Sequence, residues 1–197
     1  ERVRIPSPER RLAAYPHEMS GGMRQRAMIA LALACRPQVL LADEPTTALD
    51  ATVQIQILLL LRELQRDLGL TVIFVTHDIG AAIEVADRIA VMYAGRLVEE
   101  GLTRELIRSP QHPYTRALLA SRAHGALARG TRLATIAGNP PDLSALPPGC
   151  SFAPRCTLAT EACLQSTPAP VRCSDTQVVR CLHREHTPAR TESPRLG

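Results

Sequence analysis

The sequence predicts an α/β layer fold with a parallel sheet, followed by an irregular, cysteine-rich C-terminal region. Two short apolar runs, at residues 39–42 and 70–76, are typical of buried strands, and predicted helices alternate with them along the chain. Such alternation indicates a parallel sheet covered by helices. After Gly101 the pattern changes, because prolines, glycines and five of the six cysteines fall in the remaining residues.

The composition excludes several classes of function. The 197 residues contain no apolar run near the roughly 18 residues that a membrane helix needs. The basic residues are 23 arginines without a single lysine, and a phosphate-binding P-loop requires a lysine, so no such loop lies in this sequence. A net charge of +4 and five aromatic residues without tryptophan argue against a nucleic-acid partner.

The first long helix is predicted from Ser20 to about Cys35. Ser20 is a favourable N-cap, and Gly21 and Gly22 leave the first turn bare, so that its N–H groups can approach a phosphate closely. The residues that follow are apolar on most faces of the predicted helix. We therefore expect this helix to be buried, with Cys35 as a small core residue.

The elements that follow have clear local signals. Asp50 can cap a helix over residues 51–68, whose leucines, isoleucine and valine recur at helical spacing before a stop at Gly69. A helix over 80–87 leads to a third strand at 88–93. Ala94-Gly95 predicts a hairpin turn to a partner strand at 96–100.

Polar residues follow both apolar runs at the points where the strands end. Asp43 and Glu44 come directly after the first strand, and His77 follows the second. Open α/β sheets bind ligands at the carboxyl ends of their strands, so these side chains should face one crevice. Each feature alone is more often a solvated strand end or a capping histidine, and it is their combination that predicts a ligand site.

Four segments together closely resemble the ATP-binding subunits of ABC transporters. They are MSGGMRQR, VLLADEP, TTALD and the Thr76-His77-Asp78 sequence, within residues 15–101. The resemblance implies an ABC ATPase core of the P-loop NTPase fold, here incomplete, with ATP and Mg²⁺ as ligands. It assigns Asp43 to Mg²⁺, usually through water, Glu44 to polarising the attacking water as general base, and His77 to the γ-phosphate.

The first of these segments has a different part in the family. Ser20, Gly21 and Gly22 would complete the nucleotide site of a second ATPase subunit, and Asp50 would communicate across that dimer. Met23 stands where the commonest signature has glutamine, which removes one polar contact to the nucleotide. The resemblance indicates that methionine is usual there in the peptide-transporter branch.

Four of the C-terminal cysteines form a second candidate site. Cys150, Cys156, Cys163 and Cys181 are separated by five, six and seventeen residues, which is not the paired spacing of zinc ribbons. The surrounding sequence resembles the C-terminal region of peptide and nickel importer ATPases in three segments, HPYTRALLAS, GNPPDL and LPPGCSFAPRC. This extends the resemblance to about residue 183. That branch implies a [4Fe–4S] cluster; zinc and four free thiols stay open as alternatives. Cys173 has no assignment.

The expected organisation has three parts. Residues 1–101 would be the C-terminal part of an ABC ATPase domain, 102–183 a peptide-transporter extension, and 184–197 a disordered tail. The expected partners are a second ATPase subunit, membrane permease subunits and, indirectly, an extracytoplasmic solute-binding protein, with the subunit peripheral at the cytoplasmic membrane face.

Two alternatives to a transport ATPase remain from the sequence. One is a non-transport ABC ATPase, which would usually lack this cysteine-bearing extension. The other is a non-functional remnant of a transporter ATPase gene. The missing P-loop half and the start at Glu1 favour a fragment, and we expect the fragment to be inactive alone. Three parallel strands without their other half would also expose an apolar edge.

Overall fold

The computed structural model of the chain describes residues 2–122 and 135–184, so the predicted disordered tail lies outside the described residues apart from Arg184. The chain divides into two units, Glu1–Val85 and Ala86–Gly197. This division places the hairpin strands with the cysteine-rich region. The functional boundary after residue 101 rests on the family resemblance and stays a prediction.

The first unit is built from two parallel strands and the helices beside them. Its elements are α1 Pro8–Arg11, α2 Gly21–Leu33, β1 Val39–Asp43, α3 Ala51–Leu68, β2 Thr71–Val75 and α4 Ile79–Val85. The two strands pair in register from Val39 opposite Thr71 to Asp43 opposite Val75. Helix α3 is the crossover between them, as parallel pairing requires.

Helix α3 supplies most of the core of this unit. Its ends are those predicted, because the Asp50 carboxylate accepts the Val53 N–H at 3.0 Å and Gly69 closes the helix at a φ of 63°. The buried cluster combines one face of α3 with residues of α2, β1 and the N-terminal segment: Val3, Ile29, Leu40, Ile57, Leu60, Leu61 and Leu64. Each buried leucine or isoleucine stabilises the unit by roughly 1.5–3 kcal/mol.

Three expectations about burial in this unit were wrong. Helix α2 buries only Ile29 fully among its residues, while Met28 and Leu31 are 62% and 69% exposed. Cys35 is exposed rather than part of the core. The two strands alternate, with Leu40 buried but Leu41 72% exposed, because helices cover one face of the pair.

The second unit contains an antiparallel sheet and short helices. Strands β3 Arg88–Tyr93 and β4 Arg96–Leu102 form the predicted hairpin, followed by α5 Thr103–Arg108, α6 Pro113–Arg122, α7 Glu161–Gln165, β5 Val171–Arg172 and β6 Val178–Val179. The sheet order is β3-β4-β6-β5. The turn at Ala94-Gly95 has positive φ at both residues, 48° and 76°, as tight hairpin turns require.

The expectation of a third parallel strand was therefore wrong. Among the described residues, the parallel sheet has two strands, and β3 belongs to the antiparallel sheet. A two-residue turn places β4 directly beside β3, so the nearest available partner for its backbone groups is its own hairpin.

Candidate functional site

Glu44 and His77 meet at the carboxyl ends of the two parallel strands. The Glu44 N–H donates to the Val75 carbonyl at 2.9 Å, which continues the β1–β2 ladder by one residue. The Glu44 Oε1 then lies 2.8 Å from His77 Nδ1. Both side chains remain accessible, at 40% for Glu44 and 77% for His77. The structure thus brings together the two residues that the sequence predicted to share a crevice.

A third residue, which sequence reasoning missed, completes this contact. The Thr47 hydroxyl donates to Glu44 Oε2 at 2.6 Å, so each carboxylate oxygen has one partner. The Thr47 hydrogen bond, followed by that of His77, lowers the pKa of Glu44. The hydrogen bond to Glu44 in turn raises the pKa of His77. The carboxylate is therefore kept ionised, as an acceptor of a proton from water must be. The only sequence signal for Thr47 was its place in the TTALD segment.

Glu44 also has an unusual backbone. Its φ is 43°, in the left-handed region, and Ala48 at the other end of the same turn has a φ of 64°. Non-glycine residues adopt this region at a cost of order 1–3 kcal/mol, and such strain concentrates at functional sites. The turn redirects the chain immediately after β1 and aims the Glu44 side chain at His77.

The remaining predicted residues of this site have separate positions. Asp43 is the exposed last residue of β1. Asp78, next to His77, starts α4, because its Oδ1 accepts the Gly80 N–H at 2.7 Å. Gln54 of α3 donates to Asp78 Oδ2 at 3.4 Å and so ties the His77 turn to the helix that Asp50 caps.

The two glycines that begin α2 have a packing role that the sequence did not reveal. Ser20 Oγ accepts the Met23 N–H at 3.3 Å, which confirms the N-cap. A Cβ added to Gly22 would lie 2.6 Å from Val53 Cγ1, and one added to Gly21 would lie 3.2 Å from Leu49 Cδ2. The start of α2 therefore lies directly against the first turn of α3. Whether its N–H groups also approach a phosphate stays a prediction.

The four predicted cysteines line one cavity of the second unit. Cys150, Cys156, Cys163 and Cys181 face it together with His112 and other residues. Two of the sequence-distant cysteines are joined by their backbones, since the Cys150 N–H donates to the Cys163 carbonyl at 2.8 Å. A Cβ on the preceding Gly149 would collide with that carbonyl, so only glycine permits this approach.

Several donors surround the sulfur atoms in this cavity. The N–H of Leu158 donates to Cys156 Sγ at 3.4 Å, and that of His183 donates to Cys181 Sγ at 3.3 Å. Thr160 Oγ1 lies 3.6 Å from Cys163 Sγ. Donors of this kind favour sulfur with negative charge, the form that binds metals.

Burial acts in the opposite direction on the same thiols. It raises the pKa of Cys150 and Cys156, and it raises the pKa of Cys181 to about 11. Repulsion between neighbouring thiolates adds to this effect on each of them. Without a cation in the cavity, these thiols are therefore protonated, and a cation would have to displace the protons.

The geometry of the described residues does not support the expected iron–sulfur or zinc site. Within residues 2–122 and 135–184, no three His, Cys, Asp or Glu side chains are arranged to hold a metal ion. The four cysteines nevertheless line one cavity.

A buried carboxylate on β4 connects the hairpin to the segment that precedes α6. Glu99 is 1% exposed, and its Oε2 accepts the His112 N–H at 2.9 Å. Its Oε1 accepts the Gln111 N–H and the Gln177 side-chain amide, both at 2.7 Å. No sequence pattern indicated this role, because Val98 and Glu99 are both buried and so break the alternation expected of a strand.

Comparison with known proteins gives matches to both units. The protein-family model "ABC transporter" matches residues 1–47. The family model "Oligopeptide/dipeptide transporter, C-terminal region" matches residues 98–163. The dipeptide transport ATP-binding protein of Bacillus subtilis is 51% identical over 91% of this chain and 53% of its own length. The oligopeptide transport ATP-binding protein of Salmonella typhimurium is 50% identical over 84% of this chain and 49% of its own. The chain belongs to the ABC transporter ATP-binding family, in its oligopeptide/dipeptide branch.

The chain spans about half the length of these ABC relatives. A dimeric ATP-binding cassette bound to ADP and phosphate is a similar solved structure, 38% identical over 52% of this chain and 43% of that one, with a TM-score of 0.46. The ABC transporter match contains Ser20–Met23 and Asp43–Glu44, whereas Asp50 and His77 lie beyond it. None of the described helices is long and apolar enough to cross a membrane.

Proposed function

We propose that the chain is part of an ATP-hydrolysing subunit that powers an ABC importer of peptides or similar small solutes. The observation that carries the proposal is the contact between Glu44 and His77 at the carboxyl ends of neighbouring parallel strands, 2.8 Å apart. The order of the motifs and the names of the relatives support it, since these are dipeptide and oligopeptide transport ATP-binding proteins. Nickel and related cargo fit the same branch.

In this proposal, Glu44 acts as the general base of ATP hydrolysis. Its carboxylate is ionised and accessible, and it would accept the proton of a water aimed at the γ-phosphate. Both of its oxygens are already engaged, by Thr47 and His77. Each carboxylate oxygen can accept a second hydrogen bond, so a water can bind Glu44 beside these partners. His77 is the residue that the resemblance assigns to the γ-phosphate.

Asp43 would hold Mg²⁺ beside this carboxylate. An exposed carboxylate at the end of β1 fits the preference of Mg²⁺ for oxygen ligands and retained water. The ion would neutralise charge on the phosphates. Ser20, Gly21, Gly22 and Met23 would contact the nucleotide of a second ATPase subunit, and Asp50 would lie near the dimer contact. Permease subunits and a peripheral position at the cytoplasmic face complete the proposed assembly.

Within the same proposal, the four cysteines hold a [4Fe–4S] cluster, with zinc as the alternative. Thiolates are the right donors for both. Zinc needs all four sulfurs about 2.3 Å from a single ion, whereas a cluster distributes its ligands over several irons. The family resemblance favours the cluster, and the four cysteines line one cavity. Such a group would supply structural cross-linking or electron transfer, while residues of this chain bind it and shield it from water.

Substitution of Glu44 tests the proposed activity. In the subunit expressed from its native reading frame with its transport partners, Glu44→Gln should lower the rate of phosphate release by about 10²–10⁴-fold with nucleotide affinity unchanged. The matched control is Glu63→Gln, which removes the same charge from α3, where Glu63 pairs with Arg4 at 2.7 Å. Equal rates for Glu44→Gln and its parent would exclude Glu44 as the base.

A further inference from the structure

Thr47 contacts the proposed catalytic base at two points. Its backbone N–H donates to the Glu44 carbonyl at 3.1 Å, and its hydroxyl donates to Glu44 Oε2 at 2.6 Å. The first of these hydrogen bonds closes the four-residue turn that follows β1. The second extends from that turn to the carboxylate itself. Both donors of Thr47 are therefore directed to Glu44.

The buried and exposed residues of this turn have different roles. The two central residues, Pro45 and Thr46, are buried, whereas Glu44 and Thr47 at its two ends are exposed. The proline restricts the backbone further, because its ring fixes φ at about −65°. The buried residues therefore hold the backbone in place, and the backbone brings the two exposed side chains together.

The Thr47 hydroxyl constrains a side chain that would otherwise rotate. Glutamate has three side-chain torsions, and an exposed glutamate samples several rotamers unless contacts hold it. Here His77 Nδ1 lies 2.8 Å from Oε1 while Thr47 binds Oε2, so the two contacts together fix the plane of the carboxylate. Threonine suits this role because its β-branch restricts χ1 and thus the direction of the hydroxyl.

We propose that Thr47 is a positioning residue that holds the Glu44 carboxylate in the orientation in which it accepts the proton of the attacking water. The inference rests on the proposed function, in which Glu44 is the base. The resemblance assigns His77 to the γ-phosphate, so His77 has a second task during the reaction, whereas both donors of Thr47 serve Glu44. Misplacing a reacting group by about 1 Å can lower a rate by about 10²-fold.

Removal of the hydroxyl tests the inference in the subunit expressed from its native reading frame with its transport partners. Thr47→Val keeps the branched shape and should lower kcat for ATP hydrolysis by about 10-fold or more, with KM for ATP unchanged, because Thr47 acts on the base. Thr47→Ser keeps the hydroxyl and should have a rate close to that of the parent. The matched control is Thr71→Val, the same change at the exposed first residue of β2, and its rate should equal that of the parent.

A second comparison asks whether Thr47 acts through Glu44. In a Glu44→Ala background, Thr47→Val should cause no further loss of rate, because the carboxylate that it positions is absent. The two substitutions should therefore be strongly non-additive. Equal fold-losses for Thr47→Val with and without the Glu44 carboxylate would contradict the positioning role.

The nucleotide-free subunit provides a test that needs no turnover. Three-bond couplings of the Glu44 side chain, measured by NMR with labelled glutamate, should indicate one dominant χ1 rotamer in the parent and in Thr47→Ser. In Thr47→Val they should indicate an average over rotamers. The same couplings in all three proteins would overturn the inference, because the hydroxyl would then not hold the side chain.

The outcomes separate this inference from the proposed function. If Glu44→Gln hydrolyses ATP slowly but Thr47→Val is as fast as the parent, Glu44 remains the base and only the role of Thr47 is overturned. If Glu44→Gln is as fast as the parent, Glu44 is not the base, and Thr47 has no reacting group to position. The NMR couplings then decide by themselves whether Thr47 holds the Glu44 side chain.

Discussion

Glu44 and Glu99 are both strand-associated carboxylates, but the two units use them in opposite ways. The Glu44 side chain is 40% exposed and bound by two side chains, Thr47 and His77. Glu99 is 1% exposed and accepts three N–H groups from two separate segments. In its proposed role Glu44 must meet water and nucleotide, which its exposure permits. Glu99 instead joins two segments through partners that are buried with it.

The same contrast extends to the surroundings of each carboxylate. The first unit leaves one face of its parallel pair open, with Leu41, Ile73 and Val75 at least half exposed. In the part of the second unit that the structure describes, Glu99 and the four cavity cysteines lie among short elements, none longer than the ten residues of α6. Because the polar groups are accessible in the first unit and enclosed in the second, we expect substitutions to lower mainly the rate of turnover in the first unit. In the second unit we expect them to lower mainly the stability.

The largest effect is expected from Glu99→Ala. It would leave the N–H groups of Gln111 and His112 and the Gln177 amide without their buried acceptor, which should lower the free energy of unfolding of the second unit by about 3 kcal/mol or more. Urea denaturation followed by near-ultraviolet circular dichroism reports this unit, because Tyr93 and Tyr114 pack together there.

The neighbouring residue supplies the control for that experiment. Glu100 is only partly buried, so Glu100→Ala should change the free energy of unfolding by about 0.5 kcal/mol or less. A Glu99→Ala protein as stable as Glu100→Ala would mean that the buried carboxylate contributes no more than a surface charge, and the contrast between the two units would fail.

A smaller effect is expected from Gly22→Ala in the first unit. The added Cβ would lie 2.6 Å from Val53 Cγ1, and overpacking of this kind costs about 1–3 kcal/mol. Gly21→Ala is the matched control, because its Cβ would meet the end of the Leu49 side chain at 3.2 Å. In thermal unfolding followed by far-ultraviolet circular dichroism, the parent and Gly21→Ala should have higher melting temperatures than Gly22→Ala. Adding Val53→Ala to Gly22→Ala should raise its melting temperature again. If rescue fails, packing is not the reason for Gly22.

The smallest effect concerns the titration of His77. Its pKa is raised by the hydrogen bond to Glu44, so Glu44→Gln should lower it toward the ordinary value of histidine. The charged contact is complete between the lowered pKa of Glu44 and the raised pKa of His77, and it is lost as pH rises through the latter or falls through the former. NMR titration of the imidazole measures the shift. An unchanged midpoint in Glu44→Gln, with Glu63→Gln as the control, would contradict the direct contact.

Local signals predicted the elements of the first unit well. Asp50 and Gly69 gave both ends of α3, and Ser20 gave the start of α2, because caps and stops depend on residues within one helical turn. The positions of the two strand ends in the sequence also predicted that Glu44 and His77 lie close together. Parallel strands joined by a helix bring their carboxyl ends to the same edge of the sheet.

Burial and long-range pairing were not predictable in this way. The exposure of Leu31 and Cys35 depends on what packs against α2, which its own periodicity does not encode. The two-residue strand β6 pairs with β4 through Glu99 opposite Val179, across eighty residues of sequence without a continuous pattern.

The left-handed backbone of Glu44 has a consequence for directed evolution. A φ of 43° suits glycine or asparagine better than glutamate, so replacing the proposed catalytic base with either residue should relieve local strain. A library selected only for thermal resistance should therefore enrich glycine and asparagine at this position. A library selected for transport should retain Glu44 despite its strained backbone. The two selections would therefore diverge first at this residue, which follows β1.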